Sequence, residues 1–91
     1  MYRFYSKPIA NTGRTTIVAT FVDGVVNVAA ARCSTKDNFI RKKGRQIAEG
    51  RLAKGKLIHS FKIESFSSAD FIALANNLII QIEETKVVFN A

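Results

Sequence analysis

The 91 residues contain one cysteine, Cys33, and one histidine, His59. An intramolecular disulfide is therefore excluded, and one residue of each kind cannot build a tetrahedral zinc site of the usual Cys/His type. No apolar run approaches the roughly 18–20 residues that span a bilayer, and residues 1–8 lack the apolar stretch of a signal peptide. The chain is accordingly read as cytoplasmic, with no membrane segment. Its glycines are scattered, without a GxGxxG or P-loop arrangement, and Asp37, Glu49, Glu64, Asp70, Glu83 and Glu84 show neither paired-carboxylate nor HExxH-type spacing. Cys33 and His59 are the sole thiol and imidazole, and nothing in their spacing sets them up as nucleophile and base beside an orienting third group. A binding protein rather than an enzyme is expected, with no metal and no cofactor. Acidic residues are scarce too: 14 Lys and Arg stand against 7 Asp and Glu, a net charge of +7.

Apolar residues make up 47% and charged residues 23%, the balance of a folded chain rather than a disordered one. The length allows a single domain, residues 1–91, and no repeat, low-complexity tract or linker divides it. So short a chain has a thin core, and with disulfide and metal excluded, self-association is the compensation left. A homo-oligomer is expected.

Asp23-Gly24 suits the positive φ angles of a two-residue type I′ turn and separates two β-rich runs, 15–22 and 25–31, so a hairpin is predicted. Residues 2–6 form a further strand, with Asn11-Thr12-Gly13 as the intervening turn. From Lys36 to Lys54 the pattern is helical, with Ser34 or Thr35 as the cap, Gly55 past the end, and Ile40, Gly44, Ile47, Ala48 and Leu52 on the buried side. A strand follows at 57–63, and Ser67-Ser68-Ala69-Asp70 opens a second helix whose stripe is Phe71, Leu74, Ala75, Leu78, Ile79 and Ile82. Ile80 projects onto its otherwise polar side, which favours burial against a neighbour. A hairpin of residues 78–82 and 86–89 competes with that helix, because β-branched residues are dense there. The fold class is α+β: an N-terminal antiparallel sheet, a basic helix, a further strand and a C-terminal helix.

The charge is concentrated. Residues 36–63 carry nine cations and two acids, whereas residues 64–91 carry one cation and four acids. Such a bias points to an anionic partner. On the helical projection Lys42, Arg45, Gln46 and Glu49 face outward, while Arg41 and Arg51 fall at the apolar border and must snorkel, pair with Glu49 or a C-terminal carboxylate, or meet an anion. Phe39 projects beside Lys43, Gln46 and Gly50, where it either stacks on a ligand ring or folds onto the preceding strand. Guanidiniums grip phosphate oxygens in pairs. Arg41, Lys43, Arg45, Arg51 and Phe39 are thus the candidate ligand-binding residues, scaled to a small phosphorylated nucleotide. A nucleic-acid interface, with Tyr2, Phe4 and Tyr5 as a stacking platform, and docking on an acidic protein surface are the alternatives.

The run from Arg32 through Phe39 and on through Arg41-Lys42-Lys43-Gly44-Arg45-Gln46-Ile47-Ala48-Glu49-Gly50-Arg51-Leu52 resembles small bacteriophage proteins, in particular the Thoeris anti-defence sponges of the first described type. The resemblance also takes in the element order of sheet then helices. It implies a non-catalytic oligomer that sequesters a cyclic nucleotide or cyclic ADP-ribose-like immune signal and so counters host antiphage defence. The matching positions are Phe39, Arg41, Lys42, Lys43, Gly44, Arg45, Gly50 and Arg51.

Overall fold

The structure, a computed structural model, describes residues 1–6, 14–33 and 41–85. Asp23 and Gly24 adopt φ angles of 52° and 75°, which gives the tight turn that the dipeptide predicts. The turn joins β2 (Arg14–Val22) to β3 (Val25–Cys33), paired antiparallel along their whole length from Arg14 opposite Cys33 to Val22 opposite Val25. β1 (Tyr2–Tyr5) lies along the other side of β2, and β4 (His59–Lys62) pairs with Val25–Val28 of β3. The sheet order is β1-β2-β3-β4, so each strand neighbours the next in sequence. β4 is shorter than the predicted strand at 57–63, although Ile58 N–H and Ile63 N–H still donate to the carbonyls of Val28 and Gly24. Beyond Val28, the outer edge of β3 has no strand neighbour among the described residues.

α1 (Arg41–Ala53) and α2 (Ser68–Thr85) cover opposite faces of this sheet. Side chains alternate across a strand, so Ile17, Ala19, Val26, Val28 and Ala30 face α2 while Val18, Ala29 and Ala31 face α1. This two-sided covering explains why Thr15 to Ala19 are buried without a break, where a sheet open on one face would alternate.

α2 begins with a reciprocal capping box. The Ser67 hydroxyl accepts from Asp70 N–H at 3.3 Å, and the Asp70 carboxylate accepts from Ser67 N–H at 2.9 Å and from its hydroxyl at 3.0 Å. Those bonds favour the charged form and hold the Asp70 carboxyl below the ordinary carboxylate value, the backbone N–H of Ser67 being the larger cause and its hydroxyl the second. The helix runs through the region where a hairpin competed, and Phe71, Leu74, Ala75, Leu78 and Ile79 face the sheet as the stripe predicts. The second strand of that hairpin, 86–89, lies outside the described residues.

Tyr2 and Phe4 also turn into this core, which corrects the expectation of an exposed stacking platform. The Tyr2 ring meets Phe66 edge-on at 5.3 Å and Phe71 at 5.3 Å, and its hydroxyl donates to the Phe66 carbonyl at 3.0 Å. β-strand alternation sends Tyr2 and Phe4 to one face and Arg3 to the other, so the run cannot act as one aromatic surface.

The α1 face is built of small residues. Ala48, fully buried, sits on Val18, Ala29 and Ala31, with Leu52 at its flank. Ile47, expected on the buried side, is instead 42% exposed. The contact is centred on Ala48, and Ile47 is turned about 100° away from it. The predicted first turn of this helix, residues 36–40 with its Ser34 or Thr35 cap and Ile40, lies outside the described residues, as does the turn Asn11-Thr12-Gly13.

Candidate functional site: a cationic cleft at the end of helix α1

α1 ends in a Schellman arrangement. Gly55, at φ 73°, donates its N–H to the Leu52 carbonyl at 3.2 Å, and Lys56 N–H donates to the Arg51 carbonyl at 2.8 Å. A left-handed residue at this position is strained for anything but glycine, which gives Gly55 its place. The motif folds the chain back so that the residue after the glycine lies against the last helical turn, where an apolar contact commonly forms. Here the two positions are Lys56 and Arg51.

Those two cations and Lys54 line a cleft of about 320 Å³, completed by Gln46, Ile47 and Gly50. Arg51 is half-buried, and its Nη1 donates to the Ala30 carbonyl at 2.6 Å, on the stretch of β3 that β4 leaves uncovered. This bond gives a partner to the Ala30 carbonyl, at an edge of β3 that has no strand neighbour among the described residues. Glu49 is engaged by Arg3 and Arg45, and Arg51 spans instead from the apolar border to a backbone oxygen; the C-terminal carboxylates expected as its other partner lie outside the described side chains. A Cβ at Gly50 would meet no atom within 4 Å, so packing does not require glycine at this position of the cleft wall. The half-exposed Ile47 supplies the apolar wall.

The other candidate residues do not converge on Arg51. Arg45 and Arg51 are six positions apart, which at about 100° per residue places them about 120° apart around the helix. Their partners show the same divergence. The Arg45 Nε lies 3.8 Å from Glu49, whose carboxylate also accepts from Nε and Nη2 of Arg3 on β1 at 3.1 and 2.8 Å. Arg45 therefore flanks β1 and Arg51 flanks β3, with β2 between those strands. Lys43 is exposed and lies on the cleft's side of α1, about 10 Å before Gly50 along the axis, so it extends that flank without lining the cleft. Arg41 is the first described residue of α1, though its side chain and Phe39 lie outside the description.

Lys54 and Lys56 were absent from the sequence-based candidates because they sit at and beyond the helix end. The spacing could have revealed them: with Gly55 as the left-handed residue, Arg51 and Lys56 occupy the two positions that the motif juxtaposes. His59 begins β4 exposed, its ring 5.0 Å from that of Phe61, and Cys33 ends β3. Among the described residues no group of three or more His, Cys, Asp or Glu is placed to hold a metal, and no helix is long and apolar enough to cross a membrane.

No family model, curated protein or solved structure matches this chain.

Proposed function

We propose that this chain binds one small phosphate-bearing ligand, a nucleotide by preference, in the cleft at the end of α1 and withholds it without transforming it. The observation that carries this reading is the convergence of Arg51, Lys54 and Lys56 on one cleft of about 320 Å³. The turn sets two of these positions at the same end of α1, and among the described residues no carboxylate lines the cleft to offset their charge. A phosphate would. The helix macrodipole favours cations at this end, yet it does not require them to face a common space. The volume sits at the lower end of small-molecule pockets, which suits a single nucleotide better than a polymer track. Arg51 is positioned to grip phosphate oxygens as a fork, Lys54 and Lys56 to neutralise charge, and Ile47 with the open Gly50 to receive the flat face of a base. Sequestration of an immune signal in a bacterial cytoplasm is the use to which the resemblance of Arg32 to Leu52 would put such a site.

Native mass spectrometry of the purified protein with cyclic oligonucleotides, cyclic ADP-ribose isomers and a short DNA duplex tests the reading. A discrete increment per chain, with the ligand recovered unchanged on denaturation, is expected. Replacing Lys54 and Lys56 by Glu should weaken that binding by at least about tenfold for each cation removed. Gly50→Gln should abolish it by filling the cleft while making the helix slightly more stable, so that loss of binding cannot be ascribed to unfolding. Binding of the duplex alone, or of nothing, overturns the proposal.

A further inference from the structure

We propose that the outward face of α2 is the interface between two copies of this chain, joined about a two-fold axis at Asn76. The inference is independent of the cleft. Ile72 and Ile80 are 50% and 49% exposed on a helix whose other face is already packed on the sheet. Asn76 lies between them, exposed, and each isoleucine is four positions away from it. The three side chains form one i±4 row, the ridge used in the commonest class of helix packing, with axes crossing at about 50°. Ala69 and Ala73, also exposed, border the row and allow close approach.

The row is symmetric about its centre, and that symmetry suits a second copy. An isologous interface brings a patch onto itself, so two antiparallel α2 helices would set Ile72 against the partner's Ile80, and Ile80 against the partner's Ile72. Asn76 then faces the partner's Asn76. A side-chain amide is self-complementary, each carbonyl accepting from the other's NH2, so the polar residue inside the apolar row is satisfied by the same symmetry.

Charge selects this face over the others. Two chains of +7 repel, and the approach that costs least keeps their cations apart. α2 contains no Lys or Arg, whereas α1, on the opposite side of the sheet, contains Arg41, Lys42, Lys43, Arg45 and Arg51. Pairing through α2 leaves both basic faces, and both clefts, directed outward.

Sedimentation equilibrium of the full chain, at low salt and at about 0.5 M salt, tests the interface. A dimer that tightens with salt is expected, because screening relieves repulsion between the two cationic chains. Ile72→Glu and Ile80→Glu should each weaken it by at least about 100-fold, since the charge enters the interface twice. Both positions are half-exposed, and an unchanged circular dichroism spectrum would show that the variants fold. In a Cys33→Ser background, Asn76→Cys should form an intermolecular disulfide on mild oxidation. A monomer at about 100 μM protein, a dimer indifferent to both glutamates, or one that loosens with salt would overturn the proposal. None of these results bears on nucleotide binding, which is read separately by mass increment.

Discussion

Against α2 the sheet presents Ile17, Val26 and Val28 beneath the rings of Tyr2, Phe66 and Phe71, whereas against α1 it presents Val18, Ala29 and Ala31 beneath Ala48. The first face buries large side chains, each contributing about 1.5–3 kcal/mol. The second buries mostly methyl groups and lets a helix rich in cations lie close to the strands. Small residues there bring the α1 backbone near enough for Arg51 to reach the Ala30 carbonyl across the border. In a chain this short, one face holds the fold together and the other holds a charged helix in place.

The sharpest way to break that contrast is Phe71→Ala. It should cost about 3–5 kcal/mol in urea unfolding, enough to unfold a marginal domain; a cost under about 1 kcal/mol would show that the α2 face is not the main source of stability. Ala48→Leu probes the other face by overfilling it. A loss of about 1–3 kcal/mol is expected, because neighbours backed by a strand cannot recede, and a neutral result would mean that α1 rests loosely on the sheet.

Smaller still is the capping box of α2. Ser67→Ala should cost about 1 kcal/mol at neutral pH. Its partner Asp70 is held below its ordinary value in the folded chain, so its contribution is complete above about pH 4, where the unfolded carboxyl ionises, and is lost as pH falls through the folded value. The stability gap between wild type and Asp70→Asn, followed from pH 5 to pH 2, should therefore close towards acid. A gap independent of pH would remove the carboxylate from the cap.

Local chemistry made much of the architecture legible in the sequence. Asp23-Gly24 admits few conformations other than a tight turn, and Ser67 with Asp70 announces a helix start just ahead of the apolar stripe that begins at Phe71. The sheet face taken by each helix was not legible, because β2 is apolar on both sides and gives no preference. That choice decides the site: it sends Arg45 towards Glu49 and Arg3 while Arg51 turns to the uncovered part of β3. A helical projection shows where side chains leave the axis but not which strand they then meet. Ile47 illustrates the same limit, since the projection placed it on the buried side and the contact centred on Ala48 leaves it half-exposed.

The bond from Arg51 to Ala30 also bears on how this sheet meets other chains. A strand with unpaired backbone groups is a template for aggregation, and proteins guard such edges with charged side chains. Arg51 stands at the part of β3 where β4 stops short, so its guanidinium bars an intruding strand from the first free carbonyl described there. One side chain thus guards the edge and lines the cleft. A change at Arg51 that reshapes the cleft would also uncover this carbonyl, while changes at Lys54 or Lys56 would leave its bond in place.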